Sequence, residues 1–198
     1  MNKHNNTAGL ILAGGKAQRM GGNDKGLVQL NGRPMIEFVI NGLKPQVSTI
    51  FINANRNMDT YKQYGFDVLE DQLNDFQGPL AGFASGLDHC ETDYIVTAPC
   101  DGPFVCADYV DRLHIAANDE SSLISVAHDG KRLQPVYALL HKSLKTSLLK
   151  FLESGDRKID RWYEQEHYAK ADFTDAQEMF ANVNTPDELA LVSKTLGH

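Results

Sequence analysis

Between Ala13 and Lys25 the chain reads AGGKAQRMGGNDK, four glycines, two lysines and one arginine in thirteen residues, directly after an apolar run. Glycines let a backbone approach an anion closely, and successive N–H groups can form a nest around phosphate oxygens. Arg19 is suited to gripping one phosphate bidentately, and Lys25 to placing a point charge on another. Neither common phosphate motif fits. A Walker loop needs Gly-Lys-Ser/Thr where Arg19 or Met20 stands, and the dinucleotide fingerprint fails because Gly14-Gly15 is followed by Lys16.

Further polar groups close later apolar runs: Asn53 after TIFI, Asp71 after FDVLE and Asp101 after YIVTAPC. Taken singly, each is an ordinary turn residue. Taken together they suit an anionic ligand accompanied by a hard cation. Asp101 is the candidate Mg²⁺ ligand, since a hydrated Mg²⁺ takes one or two carboxylates plus substrate phosphates. Asp71 could help hold the same ion or touch a nucleotide. Cys100 reads as a small buried hydrophobe. His89, His114 and His141 lack ligand spacing, and no Ser-His-Asp or Cys-His arrangement is evident.

The elements that must position these groups alternate in type. The first strand is residues 9–13, GLILA. A helix begins at Pro34, with Ile36, Val39, Ile40 and Leu43 on one face. TIFINAN is a second strand ending near Asn53; a short helix over residues 58–64 leads to a third strand, FDVLED. GPLAGFASGL places Leu80, Phe83, Ala84 and Leu87 on one helical face, and residues 94–98 form a buried strand running into Cys100-Asp101. Val110, Leu113 and Ala117 mark the next helix. This alternation predicts an α/β domain with a Rossmann-like, mainly parallel sheet between helices. A small antiparallel part is expected in the second half, around the Asp129-Gly130 turn. Leu144, Leu148 and Leu152 form a stripe stopped by Gly155. Thr185-Pro186-Asp187-Glu188 is a capping box with proline at N1, followed by Leu189, Val192 and Leu196. In such a sheet ligands bind beyond the carboxyl ends of the strands, where Gly14-Gly15, Asn53, Asp71 and Asp101 all fall.

Composition narrows the classes. A chain of 198 residues, 42% hydrophobic and 23% charged, suits one globular domain. We read a nucleotide-binding half at about 8–105 and a substrate-side half at about 106–198. A net charge of −7 argues against a general nucleic-acid binder. Three cysteines without metal-type spacing point to reduced thiols. The polar start and short first apolar run offer neither a signal-peptide core nor a membrane span, so a cytoplasmic protein is expected.

The opening loop resembles the signature of nucleotidyltransferases that activate phosphorylated compounds with a nucleoside triphosphate. NANRN, EDQLNDFQGPLAG, PCDGPFV, QPVYALL and NVNTPDEL, in that order and spacing, resemble the molybdenum cofactor guanylyltransferase family, from about residue 8 to about residue 192. The resemblance implies GTP and Mg²⁺ as ligands, transfer of GMP to the terminal phosphate of molybdenum-molybdopterin, and release of pyrophosphate. It implies GTP contacts at Leu12, Ala13, Gly14, Gly15, Lys25, Asn53, Asp71 and Asp101, with Asp101 also on the metal and Lys25, Arg19 and Asp101 as the catalytic set. Gln18 departs from the basic residue that relatives can carry there. SGDRKIDRW resembles a substrate-side loop, in which Arg157 and Lys158 would meet the molybdopterin phosphate; a solvated basic turn is the alternative. Asn182 and Asn184 of NVNTP fall on the same side. Cofactor-handling or acceptor proteins would be further partners.

Such a transfer needs positioning and charge stabilisation more than covalent help. The guanine is expected between Leu12-Ala13 and Gly78-Pro79-Leu80, with Leu80 packed on the purine face. Base choice does not follow from spacing, so a cytidylyl- or uridylyltransferase stays open, as does a nucleotide-sensing module without turnover.

Overall fold

The computed structural model describes residues 3–14, 24–72, 78–183 and 185–195. Gly15, Arg19 and Asn184 lie outside the described residues, as do Lys16, Gln18 and Leu196. The chain opens with β1 (His4–Leu12), a short hairpin of β2 (Gln29–Leu30) and β3 (Arg33–Pro34), α1 (Met35–Leu43), β4 (Val47–Asn53), α2 (Met58–Lys62) and β5 (Asp67–Leu69). It continues through α3 (Pro79–His89), β6 (Tyr94–Pro99), α4 (Tyr109–Asp119), β7 (Ile124–His128) and β8 (Leu133–His141). It closes with α5 (Lys145–Glu153), α6 (Ile159–Glu166), β9 (Ala169–Asp172) and α7 (Pro186–Thr195). Among the described residues, no helix is long and apolar enough to cross a membrane.

Among the described residues, seven strands form one sheet in the order β5-β4-β1-β6-β8-β7-β9. The pairs β1–β4, β1–β6, β4–β5 and β7–β9 are parallel, and only β8 runs against its two neighbours. This is the mainly parallel sheet, antiparallel in its second half, that the alternating pattern predicts. Strands covered on both faces must be apolar on both, and β1 shows it. Ile11 points into a core shared with Ile36 and Val39 of α1 and Val110 and Leu113 of α4. Its neighbour Leu10 joins the opposite core, with Phe83 of α3, Leu148 of α5 and Trp162 of α6. A smaller cluster of Leu30, Met35, Val183 and Val192 seats α7 against the hairpin.

The structure differs from the sequence reading at several ends. β1 begins at His4 rather than at residue 9, because the backbone ladder to β4 recruits polar residues ahead of the apolar run, with His4 N–H donating to Gln46 O at 2.9 Å. Pro34 is the N-cap of α1 and not its first helical residue, since Pro34 still belongs to the hairpin. That hairpin turns on Asn31-Gly32, both at positive φ. The segment SGDRKIDRW, expected as a loop, is non-helical at Arg157 and Lys158 and enters α6 at Ile159. The capping of α7 is as expected on one side, where Glu188 N–H donates to Thr185 Oγ1 at 3.2 Å.

Candidate active site

Register places the site. Leu12 is paired with Asn53 on one side and with Pro99 on the other, so three strands end in a single row. The chain passes from β1 to β4 and β5 on one side, then returns to β6 on the other, which makes the β1/β6 edge a topological switch point. Ala13-Gly14, the segment from Asn53 to Arg56, and Cys100-Asp101 therefore leave the sheet together. Ala13, Gly14, Asn53, Arg56, Cys100 and Asp101 line a cavity of about 500 Å³ with Lys25, Asp71, Gly78, Pro79, Val136 and Asn182. That volume lies in the range of small-molecule sites.

Lys25 opens a single 3₁₀ turn, Lys25–Leu27, and its Nζ donates to Asp101 Oδ2 at 2.8 Å across 76 positions of sequence. Asp101 is only 7% exposed. Its backbone oxygen accepts from Val183 N–H at 3.0 Å, which draws the Asn182-Val183 segment onto the cavity. Asn182 Oδ1 accepts from Tyr137 Oη at 3.2 Å. On the other side, Asn53 Nδ2 donates to Asp71 Oδ1 at 2.8 Å and Asn55 Nδ2 to Asp71 Oδ2 at 2.7 Å. Asp71 N–H returns a bond to Asn55 Oδ1 at 2.9 Å. Among the described residues, two side-chain amides thus fix the Asp71 carboxylate.

The start of α3 forms the facing wall. Gly78 holds φ 67° and ψ −157°, a backbone region open to glycine alone, and Pro79 follows at the first helical position. At Gly82, a Cβ would sit 2.5 Å from both Asn53 Oδ1 and Leu12 Cδ2. Glycine there lets α3 press directly onto the two strand ends that carry the site.

Cys100 is buried beside Asp101, and burial, followed by the Asp101 charge, pushes its thiol well up. It is held as a neutral thiol and is no nucleophile. His114 lies at the opposite end of the sheet, stacked 4.3 Å from His4 at the start of β1. His141 packs on Tyr94 at the start of β6, also away from the cavity.

Most sequence candidates converge: Leu12, Ala13, Gly14, Lys25, Asn53, Asp71, Gly78, Pro79, Asp101 and Asn182 all line one cavity. Leu80 does not. It is 0% exposed and packs in the core with Phe51 and Phe83, because it belongs to the inward stripe of α3. Arg157 and Lys158 are also absent from the cavity lining. Arg157 Nη1 donates to Leu152 O at 2.6 Å, serving the exposed carbonyls at the end of α5, and Lys158 is the N-cap residue of α6. Lining residues that sequence reasoning passed over are Arg56, Pro99 and Val136. Arg56 stood in plain view within NANRN, three positions after Asn53.

A strand-end cavity walled by a lysine–aspartate pair, at the switch point of a mainly parallel sheet, suits an anionic nucleotide, and the chain is of the nucleotidyltransferase class. Residues 9–171 match the family model described as the MobA-like NTP transferase domain. The chain is 46% identical to a molybdenum cofactor guanylyltransferase of Shewanella loihica, over 96% of each chain. It is 50% identical to one of Vibrio parahaemolyticus, over 93% of each. In fold it is similar to molybdopterin-guanine dinucleotide biosynthesis protein A of Archaeoglobus fulgidus. The TM-score is 0.80 at 23% identity, covering 96% of this chain and 98% of that one. The chain belongs to the molybdenum cofactor guanylyltransferase family.

Proposed function

We propose that this enzyme transfers GMP from GTP to the terminal phosphate of molybdenum-molybdopterin, giving the guanine dinucleotide cofactor and pyrophosphate. The observation that carries it is the meeting of Lys25 and Asp101 at 2.8 Å on the cavity wall, in a chain 46% identical along its length to a named guanylyltransferase. An oxygen of the acceptor phosphate attacks the α-phosphorus of GTP, the bond to the oxygen bridging the α- and β-phosphates breaks, and its electron pair leaves with pyrophosphate. Highly anionic groups are brought together, so the chain's work is to place them and to offset charge. Lys25 stands where it can turn from Asp101 to a phosphate oxygen. Asn53 and the amide-braced Asp71 order the nucleotide, and Gly14 and Gly78 let backbone come close to it.

Asp101 fits a Mg²⁺ site. It is a buried hard-oxygen donor on the cavity wall, and among the described residues no three His, Cys, Asp or Glu form a complete cage. One carboxylate suits an ion that keeps waters and takes phosphate oxygens. When bound, Mg²⁺ would offset negative charge on the triphosphate and the departing pyrophosphate. The free thiols of Cys90, Cys100 and Cys106 support a reducing, cytoplasmic setting.

In this reading guanine lies between Leu12-Ala13 and Gly78-Pro79, which line the cavity, and is read by backbone groups without the buried Leu80. A calorimetric panel of GTP, ITP, CTP and ATP tests this. GTP should bind best, with ITP weaker by about 10- to 100-fold if a buried acceptor loses its 2-amino partner. A preference for CTP would overturn the guanine assignment, and equal binding of all four would favour a site without base reading.

A further inference from the structure

One buried carboxylate beside the cavity has no part in the chemistry above. Asp24 immediately precedes Lys25 and is 6% exposed. Its Oδ1 accepts from Tyr61 Oη at 2.5 Å, and its Oδ2 accepts from Asn57 Nδ2 at 3.0 Å. Arg56 Nε lies 3.6 Å from the same Oδ2. Burial pushes the Tyr61 phenol far above its usual range, so the hydroxyl remains a donor at every working pH. Asp24 already holds two shorter bonds, so its pairing with Arg56 orients the guanidinium more than it satisfies the carboxylate.

Arg56 itself lines the cavity. The other carboxylates of that wall have their own partners: Asp101 has Lys25, and Asp71 has the amides of Asn53 and Asn55. Among the described residues, this guanidinium joins Lys25 as a second positive charge on the cavity wall. Its side of the sheet also matters. Tyr61 and Cys100 belong to the core on the α1 and α4 face, whereas α3, whose N-terminus bounds the base site, packs on the opposite face. A nucleotide lying across the strand ends with its base at Gly78-Pro79 carries its phosphates toward the Asp24 side.

Resting on the guanylyltransferase reading, we propose that Arg56 is a further substrate-contacting cation that grips the phosphates leaving as pyrophosphate, with Asp24 and Tyr61 as its positioning residues. A planar fork matches two phosphate oxygens at once, which a lysine cannot do. The same carboxylate that fixes Arg56 lies one residue from Lys25, so a single anchor sets the spacing of two cations along the triphosphate.

The test is calorimetric titration of the whole chain and its variants with GTP, GMP and inorganic pyrophosphate. Arg56→Ala should weaken GTP and pyrophosphate by about 10- to 100-fold and leave GMP within about twofold. Arg56→Lys should restore only part of the loss. Asp24→Asn and Tyr61→Phe should narrow the GTP-to-GMP affinity ratio in the same sense, a shift that loss of stability alone does not produce. Arg56→Ala losing GMP as strongly as GTP, or losing neither GTP nor pyrophosphate, overturns the proposal. A wild-type chain that binds no GTP defeats the nucleotide reading itself. Normal wild-type binding with an indifferent Arg56→Ala defeats only the role of Arg56.

Discussion

Gly102 follows Asp101, and a Cβ built on it would lie 2.0 Å from Tyr137 Oη. The hydroxyl would have to move by more than about 1 Å to regain ordinary contact. It has little room, because the Tyr137 ring is 1% exposed and packed edge-on against Phe180 at 5.1 Å and Tyr109 at 6.1 Å. Gly102→Ala should therefore cost about 1–3 kcal/mol, the usual penalty of overpacking. In a chain of this size that is about 2–12 °C in melting temperature. Tyr137→Phe alone removes a hydroxyl bonded to Met179 O and Asn182 Oδ1, each at 3.2 Å, and should cost about 1 kcal/mol. Combined, the two should not add. Without the hydroxyl, the nearest contacts of the new methyl are Asn182 Oδ1 at 3.2 Å and the ring carbon at 3.3 Å, tight but tolerable. Urea unfolding of the four proteins should give a double variant close to Tyr137→Phe alone. Turnover lost by displacing Asp101's neighbour should recover in parallel. Additivity within about 0.5 kcal/mol would refute the steric argument.

Lys25→Ala should lower turnover by about 10²–10³ and nucleotide affinity by less, since a preorganised charge matters most as charge moves in the transition state; pre-steady-state pyrophosphate release checks it. Asp101→Asn should remove most turnover at limiting Mg²⁺ with the fold intact by circular dichroism, and normal activity would rule out its metal role. At the far end of the sheet, burial first and the facing His4 second hold His114 down to about 4, against the opposing pull of Asp111, with Thr7 and Tyr94 completing its surroundings. Between about 6.5 and 4 the unfolded chain takes up a proton that folded His114 refuses, so stability should fall as pH drops through that window. His114→Phe should flatten the fall, and an unchanged slope would assign it to other groups.

The site was legible where chemistry sits at the end of an apolar run. The apolar ends of β1, β4 and β6 run into Gly14, Asn53 and Cys100-Asp101, and the rule that ligands gather at strand ends located the cavity. Leu80 was misassigned against evidence in the sequence itself, since its helical stripe with Phe83, Ala84 and Leu87 already required it to face the core. The β2–β3 turn carried a plain Asn31-Gly32 signal that was passed over. α6 gave little to read: Ile159, Trp162 and Tyr163 are its only large apolar residues among charged neighbours, yet Trp162 and Tyr163 are buried whole. β9 is AKAD, with only two alanines turned inward, and exists because β7 offers it a ladder. The Asp24–Tyr61 bond spans 37 positions, so nothing local to either residue announces it.

Mass analysis of the products formed from GTP, molybdenum-molybdopterin and Mg²⁺ addresses the central claim most directly. The account predicts molybdopterin guanine dinucleotide and one pyrophosphate for each GTP consumed, both formed about 10²–10³-fold more slowly with Lys25→Ala. Formation of a dinucleotide from CTP in preference to GTP, or GTP binding with neither product, would contradict it.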